Sequence, residues 1–327
     1  MKITLVMASD EEGGLEKHVL ELAEGLAEFH SVSLIAHQKY QTQLSHEVNF
    51  IAFDMSGSRY NPWTKYQLKK VILATQPDIL HAHASKTAKL LQGMLQQFSF
   101  PTVVTVHGKK KSNQAYFAFD HIIAVSHSVG AILNHPNKTT VVYNGTKISI
   151  FPIPFKQNRK FIAIGRLNSV KGFDLLLEAW KDIPHSLSIV GEGQERHKLE
   201  QLIQQYQLSD RVSLLGYRQD IHTLICEHEA LIVSSLREGG PYTLAETLLL
   251  NRPVFGTDVG MMAEFIPEDF LCEAGSYHAL NALIRHYLQI PDPSMDFTSA
   301  YKMAQEQLTF QKMIEHTLQT YQSLLVS

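Results

Sequence analysis

Short apolar runs alternate with amphipathic stretches along almost the whole chain. Such runs are typical of strands that are buried on both faces of a sheet, and the stretches between them are typical of crossover helices. The alternation therefore predicts parallel sheets covered by helices. In the first half we predict strands at 3–7, 32–36, 50–53, 78–81, 102–106, 121–125 and 140–142, and helices at 15–29, 62–75 and 86–97.

The pattern restarts after a proline-containing segment, 151–155, in the middle of the chain. Pro152 and Pro154 lack an N–H and restrict the residues before them, so this segment continues neither a helix nor a central strand. We predict two doubly wound α/β domains, 1–153 and 154–297, with a ligand site in the cleft between them. A last segment, 298–327, is predicted to be a helix that crosses back to the first domain. In the second half we predict strands at 160–164, 187–190, 212–214, 230–233 and 253–256, and helices at 172–181, 195–206, 221–228 and 242–249.

Length and composition are those of an ordinary globular protein. A chain of 327 residues exceeds what one core usually organises, which favours two domains. No apolar run reaches the ~18 residues of a membrane span, and the first apolar run fits a strand better than a signal peptide. We therefore expect a cytoplasmic protein. Cys226 and Cys272 are too few for a disulfide framework or a cysteine-based zinc site, so both are expected to be small buried residues.

The net charge of −3 divides unevenly along the chain: residues 1–156 carry +4 and residues 157–327 carry −7. A positive half suggests an anionic partner, such as a membrane surface or a phosphorylated acceptor, although a solvated surface explains a small excess equally well. The basic run 109–111 is followed by aromatic residues up to Phe119. This order suits an anionic lipid surface or a loop that leads into a buried helix, and both interpretations stay open. No nucleic-acid partner is expected.

The strongest chemical signal is the stretch 237–246, in which a glycine-proline turn opens a helix between two glutamates. Backbone N–H groups at a helix N-terminus attract phosphate, and an ionised carboxylate can accept hydrogen bonds from two neighbouring hydroxyls. One glutamate precedes the helix and the other lies inside it, so they can bind different parts of a sugar nucleotide. The same stretch is also compatible with a turn followed by an amphipathic helix whose glutamates face water. The candidate residues are Glu238, Gly239, Gly240, Pro241, Tyr242, Thr243, Leu244 and Glu246.

Other polar residues follow predicted strands, where α/β sheets bind their ligands. Gly13 and Gly14 open the first helix and can place backbone donors against a diphosphate. Arg166 and Lys171 can neutralise a pyrophosphate and stabilise it as a leaving group. His107 can exchange a proton or bind a sugar hydroxyl. Simple loops, solvated cations and a structural histidine are the alternative interpretations.

Two weaker signals complete the set. Tyr217 and Arg218 end another predicted strand, where an aromatic ring can border a nucleobase or simply pack. His81 and His83 share one strand face because side chains alternate along a strand. Such a pair can bind a metal, but we find no third ligand at a suitable spacing and predict no metal site.

Taken in order, these motifs resemble those of the retaining glycosyltransferases of family 4, which have the GT-B fold of two Rossmann-like domains facing each other across a cleft. The resemblance covers nearly the whole chain. The motifs are Gly13-Gly14 with Glu16, 78–83, 105–108, 124–126, 142–145, 165–167 with 171–172, 190–193 and 238–246.

The resemblance implies metal-independent transfer of a sugar, with retention of anomeric configuration, from a nucleotide-diphosphate sugar that we expect to be UDP-linked. It assigns the diphosphate to Arg166 and Lys171 and the ribose to Glu246. It assigns the hydroxyls of the donor sugar to Glu238, and it places His107 at the reacting centre. The backbone from 239 to 244 would line the sugar and the phosphates. No cofactor besides the donor substrate is expected.

The resulting hypothesis is a hexosyltransferase-type enzyme of cell-surface polysaccharide or lipopolysaccharide biosynthesis. Its acceptor would be a glycan or a lipid-linked glycan at the inner face of the cytoplasmic membrane. A nucleotide-sugar 2-epimerase and a non-catalytic sugar-nucleotide-binding subunit stay open as alternatives. The sequence departs from the family after strand 253–256, where Met261 and Met262 follow Gly260 in place of a glycine pair. This departure bears on donor and acceptor choice more than on reaction class.

Overall fold

The computed structural model describes residues 1–58, 61–108, 112–150 and 153–326. The chain forms two compact units, which we call unit 1, Met1–Gly145 with Phe310–Ser327, and unit 2, Thr146–Thr309. The first division therefore lies eight residues before the sequence-based boundary at 153. The reason is that the segment after Gly145 is held by unit 2, since the Thr146 N–H donates a hydrogen bond to the carbonyl of Leu308 and the Ser149 N–H donates to Nδ1 of His222.

Unit 1 contains a parallel sheet of seven strands in the order β3-β2-β1-β4-β5-β6-β7. Helices connect most of the successive strands, as the alternating pattern predicts, whereas short 3-10 segments join β2 to β3 and β5 to β6. The strands are β1 Lys2–Met7, β2 Ser31–Ala36, β3 Asn49–Ala52, β4 Ile79–His83, β5 Thr102–Val106, β6 His121–Ala124 and β7 Thr139–Val141, and the helices are α1 Gly14–Ala27, α2 Pro62–Ala74, α3 Ala84–Leu91 and α4 His127–Leu133.

Apolar cores cover both faces of this sheet. Leu5 and Val103 belong to one core, whereas their chain neighbours Val6 and Val104 belong to the other. This division follows from the alternation of side chains along a strand. Strands β4 and β5 are buried at every residue, which explains why they read as continuous apolar runs interrupted only by His81, His83 and threonines.

Unit 2 repeats the same arrangement with six parallel strands in the order β10-β9-β8-β11-β12-β13. In both sheets the first strand of the unit is an interior strand, third in the order, and the order reverses beside it. The strands are β8 Lys160–Ile164, β9 Ser186–Val190, β10 Val212–Gly216, β11 Ala230–Val233, β12 Val254–Thr257 and β13 Leu271–Cys272, and the helices are α5 Phe173–Ala179, α6 Arg196–Gln205, α7 Ile221–Glu227, α8 Tyr242–Leu249, α9 Met262–Phe265, α10 Tyr277–Gln289, α11 Pro293–Asp296 and α12 Thr298–Gln307.

The C-terminal segment forms two helices, so the prediction of one helix over 298–327 is wrong. Helix α12 packs in unit 2 against α8, and helix α13, Phe310–Val326, packs in unit 1 against α1. The break falls where Thr309 pairs with Thr146 and the carbonyl of Leu308 accepts a hydrogen bond from the Thr146 N–H at 3.1 Å. The backbone at this point is engaged in an extended pairing, so the helical ladder ends there.

None of the helices in the described part of the chain is both long enough and apolar enough to cross a membrane. Of the two cysteines, Cys226 is buried, as expected, and Cys272 is only half-buried.

Candidate functional site

Strands β8 and β11 are neighbours at the point where the strand order of unit 2 reverses. Loops that leave the carboxyl ends of such strands diverge, and the crevice between them is where open α/β sheets bind ligands. The loop after β8 carries Arg166 and Lys171, and the loop after β11 carries Glu238. The fold therefore brings these three predicted residues to one edge of one sheet.

Backbone contacts hold these two loops together. The Ser234 hydroxyl donates a hydrogen bond to the carbonyl of Lys171 at 2.8 Å, and the Leu236 N–H donates to the carbonyl of Val170 at 2.8 Å. Gly172 has a φ of 62°, and a Cβ at this position would lie 2.2 Å from the Ser234 carbonyl oxygen. Only glycine permits both this left-handed conformation and this close approach.

Lys171 and Glu238 form an ion pair across the crevice. The Nζ atom of Lys171 lies 2.6 Å from Oε1 of Glu238, and the hydroxyl of Ser235 donates to the same oxygen at 2.6 Å. The two side chains are 22% and 14% exposed. An ammonium has three donors, so Lys171 can bind an anion in addition to Glu238. The pair lines a small pocket with Ile164, Phe173, Leu231, Ile232, Val233, Ser234, Ser235, Pro241 and Thr243.

Helix α8 begins directly after this loop and has the bounds that its sequence predicts. Pro241 precedes its first residue, and no side chain of the described residues caps its N-terminus. The N–H groups and the macrodipole at such an end favour a negatively charged ligand. The helix therefore adds an anion-binding feature to the edge of the sheet that carries Lys171.

Gly260 positions the loop that carries Glu238. Its φ is 60°, and a Cβ at this position would lie 2.5 Å from the Gly239 carbonyl oxygen and 3.0 Å from Cβ of Glu238. The two residues that follow, Met261 and Met262, are fully buried. The departure from a glycine pair thus keeps glycine at the position where two loops touch, and places methionine where the chain enters the core.

Glu246 lies inside α8 and is buried, with only 5% of its surface exposed. Nε2 of His222 lies 3.7 Å from its Oε1 atom. The backbone N–H of Ser149 donates a hydrogen bond to Nδ1 of His222 at 3.2 Å, which assigns the ring proton of the neutral histidine to Nε2. His222 therefore points an N–H at Glu246. The hydrophobic pattern holds no signal for either contact, because Ser149 and His222 are 73 residues apart and His222 and Glu246 lie on different helices.

Tyr217 and Arg218 follow β10, at a different position on the sheet edge. Tyr217 is 64% exposed, so the interpretation that its ring packs in the core is wrong. Arg218 forms a bidentate pair with Asp220 at 2.8 and 2.6 Å, and this pairing lowers the pKa of the Asp220 carboxyl. A role of either residue at a nucleobase stays a prediction.

In unit 1 the strand order reverses beside β1 and β4, and the loop after β1 carries Gly13 and Gly14. Helix α1 begins at Gly14, and no side chain of the described residues caps its N-terminus. Glu16, in the first turn, is buried and accepts a hydrogen bond from the hydroxyl of Ser9. The two glycines thus lie where the prediction places them, at an open helix end beside the central strand.

Histidines converge at the same edge of the unit 1 sheet. His83 ends β4, His107 follows β5, and His18 projects from α1. The ring centroid of His18 lies 4.7 Å from that of His107 and 5.4 Å from that of His83, and the His83 and His107 centroids are 5.8 Å apart. His18 is not among the residues that the sequence motifs predict for the site.

The predicted pair of His81 and His83 does share one strand face, with ring centroids 4.1 Å apart, but the two rings have different surroundings. Nδ1 of His81 lies 2.6 Å from the Tyr321 hydroxyl, and Nε2 lies 2.7 Å from the Thr105 hydroxyl. Both nitrogens of His81 are therefore engaged within the core. His83, which is next to the other histidines, is the member of the pair that faces the cluster.

Burial keeps these rings neutral. It lowers the pKa of His18 to about 4, an effect that the nearby Asn144 side chain partly offsets. Burial and the neighbouring histidines hold the pKa of His83 well below its usual value, and burial does the same for His81. Within the part of the chain that the structure describes, no ring nitrogen of His18 or His83 reaches a partner with hydrogen-bond geometry.

The segment considered for membrane contact lies only partly within the described residues, because Lys109, Lys110 and Lys111 are outside them. Its aromatic residues Tyr116 and Phe119 are 1% and 0% exposed. These rings belong to the core of unit 1. The structure therefore favours a loop that leads into buried residues over an aromatic anchor in a lipid surface.

Comparison with known proteins gives two family matches that follow one another along the chain. The family model described as "Glycosyltransferase Family 4" matches residues 12–149, and the one described as "Glycosyl transferases group 1" matches residues 147–303. Together they extend over both units.

Individual proteins resemble the chain over most of its length. An uncharacterised glycosyltransferase of Methanocaldococcus jannaschii is 26% identical over 280 residues, which are 79% of each chain. A human protein, one of the subunits of phosphatidylinositol N-acetylglucosaminyltransferase, is 24% identical over 359 aligned positions, which cover 96% of this chain and 74% of the relative. The crystal structure of Anabaena HepE in complex with UDP and glucose superimposes with a TM-score of 0.82 at 20% identity, over 99% of this chain and 100% of that chain.

The two family matches follow one another over both units. Both units have a parallel sheet in which the strand order reverses beside the first strand. This chain belongs to glycosyltransferase family 4 and has the GT-B fold.

Proposed function

We propose that the protein transfers a sugar from a UDP-sugar to a lipid-linked or glycan acceptor, with retention of anomeric configuration and without a catalytic metal ion. The observation that carries this proposal is the Lys171–Glu238 pair beside the N-terminus of α8. A cation, a carboxylate and a helix dipole at one sheet edge match the three needs of a nucleotide-sugar donor. The cation neutralises the charge of the diphosphate, and the carboxylate accepts hydrogen bonds from the sugar hydroxyls. The helix dipole stabilises the negative charge that grows on the leaving group.

Lys171 and Arg166 would hold the donor diphosphate in this proposal. When the bond between the sugar and the diphosphate breaks, negative charge grows on the leaving oxygen, and the Lys171 ammonium and the α8 N-terminus would stabilise it. In this structure Glu238 neutralises Lys171. Arrival of the diphosphate would provide a second anion for Lys171, which leaves Glu238 able to accept hydrogen bonds from sugar hydroxyls.

Glu246 would bind the ribose hydroxyls, with His222 holding its carboxylate in place. His107 is the residue of unit 1 that we assign to the transferred sugar. The acceptor hydroxyl would attack from the face that the diphosphate leaves and would pass its proton to the departing diphosphate oxygen, so no carboxylate has to act as a nucleophile. This differs from retaining glycosidases, which place a second carboxylate about 5 Å from the first.

The choice of donor and acceptor rests on the relatives. HepE was crystallised with UDP and glucose, and the human relative is named for transfer of N-acetylglucosamine to phosphatidylinositol. The net charge of +4 on residues 1–156 suits an acceptor on an anionic membrane surface. We propose that the acceptor is a lipid-linked intermediate of a cell-surface polysaccharide or lipopolysaccharide, at the inner face of the cytoplasmic membrane.

The test is a screen of UDP-glucose, UDP-galactose and UDP-N-acetylglucosamine with lipid-linked and free glycan acceptors, in which released UDP is measured. We expect release that depends on the acceptor and persists in EDTA, and a product with the anomeric configuration of the donor by NMR. A folded sample that releases no UDP with any pair would contradict the proposal. Interconversion of donors without an acceptor would instead identify an epimerase, and donor binding without turnover would identify a binding subunit.

A further inference from the structure

Three imidazoles from separate elements of unit 1 meet at the edge of its sheet. His18 comes from α1, His83 from the end of β4, and His107 from the residue after β5. One ring nitrogen of each lies within 4.8 Å of the nitrogens of the other two. The elements that carry them are fixed by the core, since α1 and the strands β4 and β5 are packed along their lengths.

Two of the three rings are deeply buried, and their nitrogens make no hydrogen bond of normal geometry among the described residues, although the Asn144 side chain lies beside His18. His18 is 2% exposed and His83 is 1% exposed. A buried polar group that loses its partner destabilises a protein by about 1–3 kcal/mol, so native structures rarely leave several such groups side by side. A ligand that accepts electron pairs from the rings would remove this penalty.

We propose that His18, His83 and His107 form a binding site for a divalent transition metal ion, with Zn²⁺ as the expected occupant. Three imidazole nitrogens with a fourth position left open are a recurrent ligand set for Zn²⁺. Mg²⁺ and Ca²⁺ prefer oxygen ligands, and an all-nitrogen set therefore selects against them. The three histidines belong to unit 1, whereas Arg166 and Lys171, to which we assign the diphosphate, belong to unit 2.

The geometry requires only a small rearrangement. Zn–N bonds of about 2.0–2.1 Å in a tetrahedral arrangement place the nitrogens about 3.4 Å apart. In this structure the corresponding nitrogens lie within 4.8 Å of one another. His107 is partly exposed, whereas His18 and His83 are buried. Rotation of the His107 ring toward an ion therefore disturbs the least packing, and its side of the cluster gives the ion access.

Neighbouring residues supply an outer shell for the site. The Asn144 side chain lies close enough to His18 to shift its pKa. His81 lies against His83, and it is itself fixed by Tyr321 and Thr105. Metal sites depend on such surroundings, which orient the ligating rings.

Occupancy of this site has a consequence for transfer, and this step rests on the proposed function. An ion that binds His107 would withdraw the side chain that we assign to the transferred sugar. Zn²⁺ would then inhibit transfer reversibly, and a chelator would restore it. The ion would act as an inhibitor while the reaction itself uses no metal.

The experiment titrates the chelator-treated full chain with Co²⁺, followed by visible absorption, and with Zn²⁺, followed by calorimetry. We expect one equivalent to bind, with the intense visible bands of tetrahedral Co²⁺. Loss of an outer-shell partner weakens metal binding roughly 10- to 100-fold, and loss of a ligand should weaken it more. We therefore expect His18→Asn, His83→Asn and His107→Ala each to weaken Zn²⁺ binding at least about 100-fold.

His46→Asn is the matched control, because His46 is an exposed histidine of the same unit. Its binding isotherm should equal that of the unchanged chain. Thermal unfolding of each variant checks that it is folded, and His107→Ala, at the partly exposed position, is the change least able to disturb the core. Equal Zn²⁺ affinity in the control and in folded His107→Ala or His18→Asn would overturn the proposal, as would the absence of stoichiometric binding in the unchanged chain. These outcomes concern metal binding alone, so they do not contradict the proposed transfer reaction. A failed transfer assay, in turn, would not contradict the metal site.

Discussion

Units 1 and 2 share their strand order around the central strand, yet the side chains at the carboxyl ends of their strands differ in kind. Unit 2 presents the charged pair of Lys171 and Glu238, which is partly exposed. Unit 1 presents His18 and His83, which are buried and have lowered pKa values. Topology thus determines where a ligand binds, whereas the residues at the strand ends determine which charge it can carry. Unit 2 suits an anionic diphosphate, and unit 1 suits neutral hydroxyls or a cation.

The largest effect is expected from removal of the cation of unit 2. Lys171→Ala should lower kcat/KM for the UDP-sugar roughly 100- to 1,000-fold, the range found when one preorganised group that stabilises developing negative charge is lost. The measurement is UDP release under steady-state conditions. Lys198→Ala is the control, because Lys198 is also ion-paired, to Asp174 at 2.8 Å, but on the exposed surface of unit 2. Comparable losses in both variants would show that Lys171 has no special role.

A second prediction concerns the glycine that positions Glu238. Gly260→Ala should lower the free energy of unfolding by about 3 kcal/mol or more, because it adds a backbone clash to the cost of the left-handed conformation. Gly275→Ala is the matched control. Gly275 also has a positive φ, of 88°, but a Cβ there would meet nothing closer than 3.9 Å, so we expect a loss of about 1 kcal/mol from the backbone alone. Denaturant unfolding separates the two, and equal losses would show that the contact with Gly239 has no energetic effect.

The buried histidines of unit 1 predict that the stability of the protein depends on pH. The pKa of His18 is lowered from 6.5 to about 4, so between these values the unfolded chain binds a proton that the folded chain does not. The free energy of unfolding should therefore fall as the pH falls through this window, by about 1.4 kcal/mol per pH unit for each such histidine. His83 and His81 act in the same direction.

The measurement is denaturant unfolding at pH 7, 6 and 5 in the presence of EDTA, for the chain and for His18→Gln. The variant should show a shallower slope of unfolding free energy against pH. A slope that is unchanged by the substitution would mean that His18 titrates normally in the folded protein.

The smallest effect is expected at His222. His222→Ala should weaken UDP binding about 3- to 10-fold, which corresponds to about 0.7–1.4 kcal/mol. The ring N–H lies 3.7 Å from Glu246 in this structure, and we expect it to close to hydrogen-bond distance when the carboxylate binds the ribose. Because Ser149 fixes the ring through Nδ1, His222→Gln should recover part of the loss if its amide N–H reaches Glu246. Calorimetry with UDP is the readout, and an affinity unaffected by His222→Ala would remove this residue from the donor site.

The sequence predicts the elements near the central strands well. The bounds of β5, β8, β11 and α8 equal the predicted ones. These elements are buried and apolar throughout or start at a clear turn, so local pattern alone defines them. The loops that follow them carry the charged candidates, and for that reason the pattern of elements is enough to place Arg166, Lys171 and Glu238 at one sheet edge.

Features that depend on long-range contact lie beyond the sequence pattern. The histidine cluster is one, because His18, His83 and His107 come from three elements that only the folded sheet brings together. The contact of His222 with Glu246 is another, and so is the extended pairing that divides the last helix, in which Thr146 meets a residue far along the chain.

Helix α10 is a different case, because the predicted elements omit it although its signal is local. Ser276 caps the helix, and Leu280, Ile284 and Tyr287 recur at helical spacing and are buried. The pattern is therefore sufficient to predict this helix, and its omission is an error of interpretation rather than a limit of the sequence.

The most direct test of the central claim, that the charged strand ends of unit 2 form the donor site, is calorimetric titration of UDP into the chain and its Glu246→Ala and Glu238→Ala variants. We predict that Glu246→Ala weakens UDP binding by about tenfold or more, equivalent to about 1.4 kcal/mol. Glu238→Ala should bind UDP within about threefold of the unchanged chain, although its turnover of the UDP-sugar falls. Absence of UDP binding, or equal weakening by both substitutions, would contradict the claim.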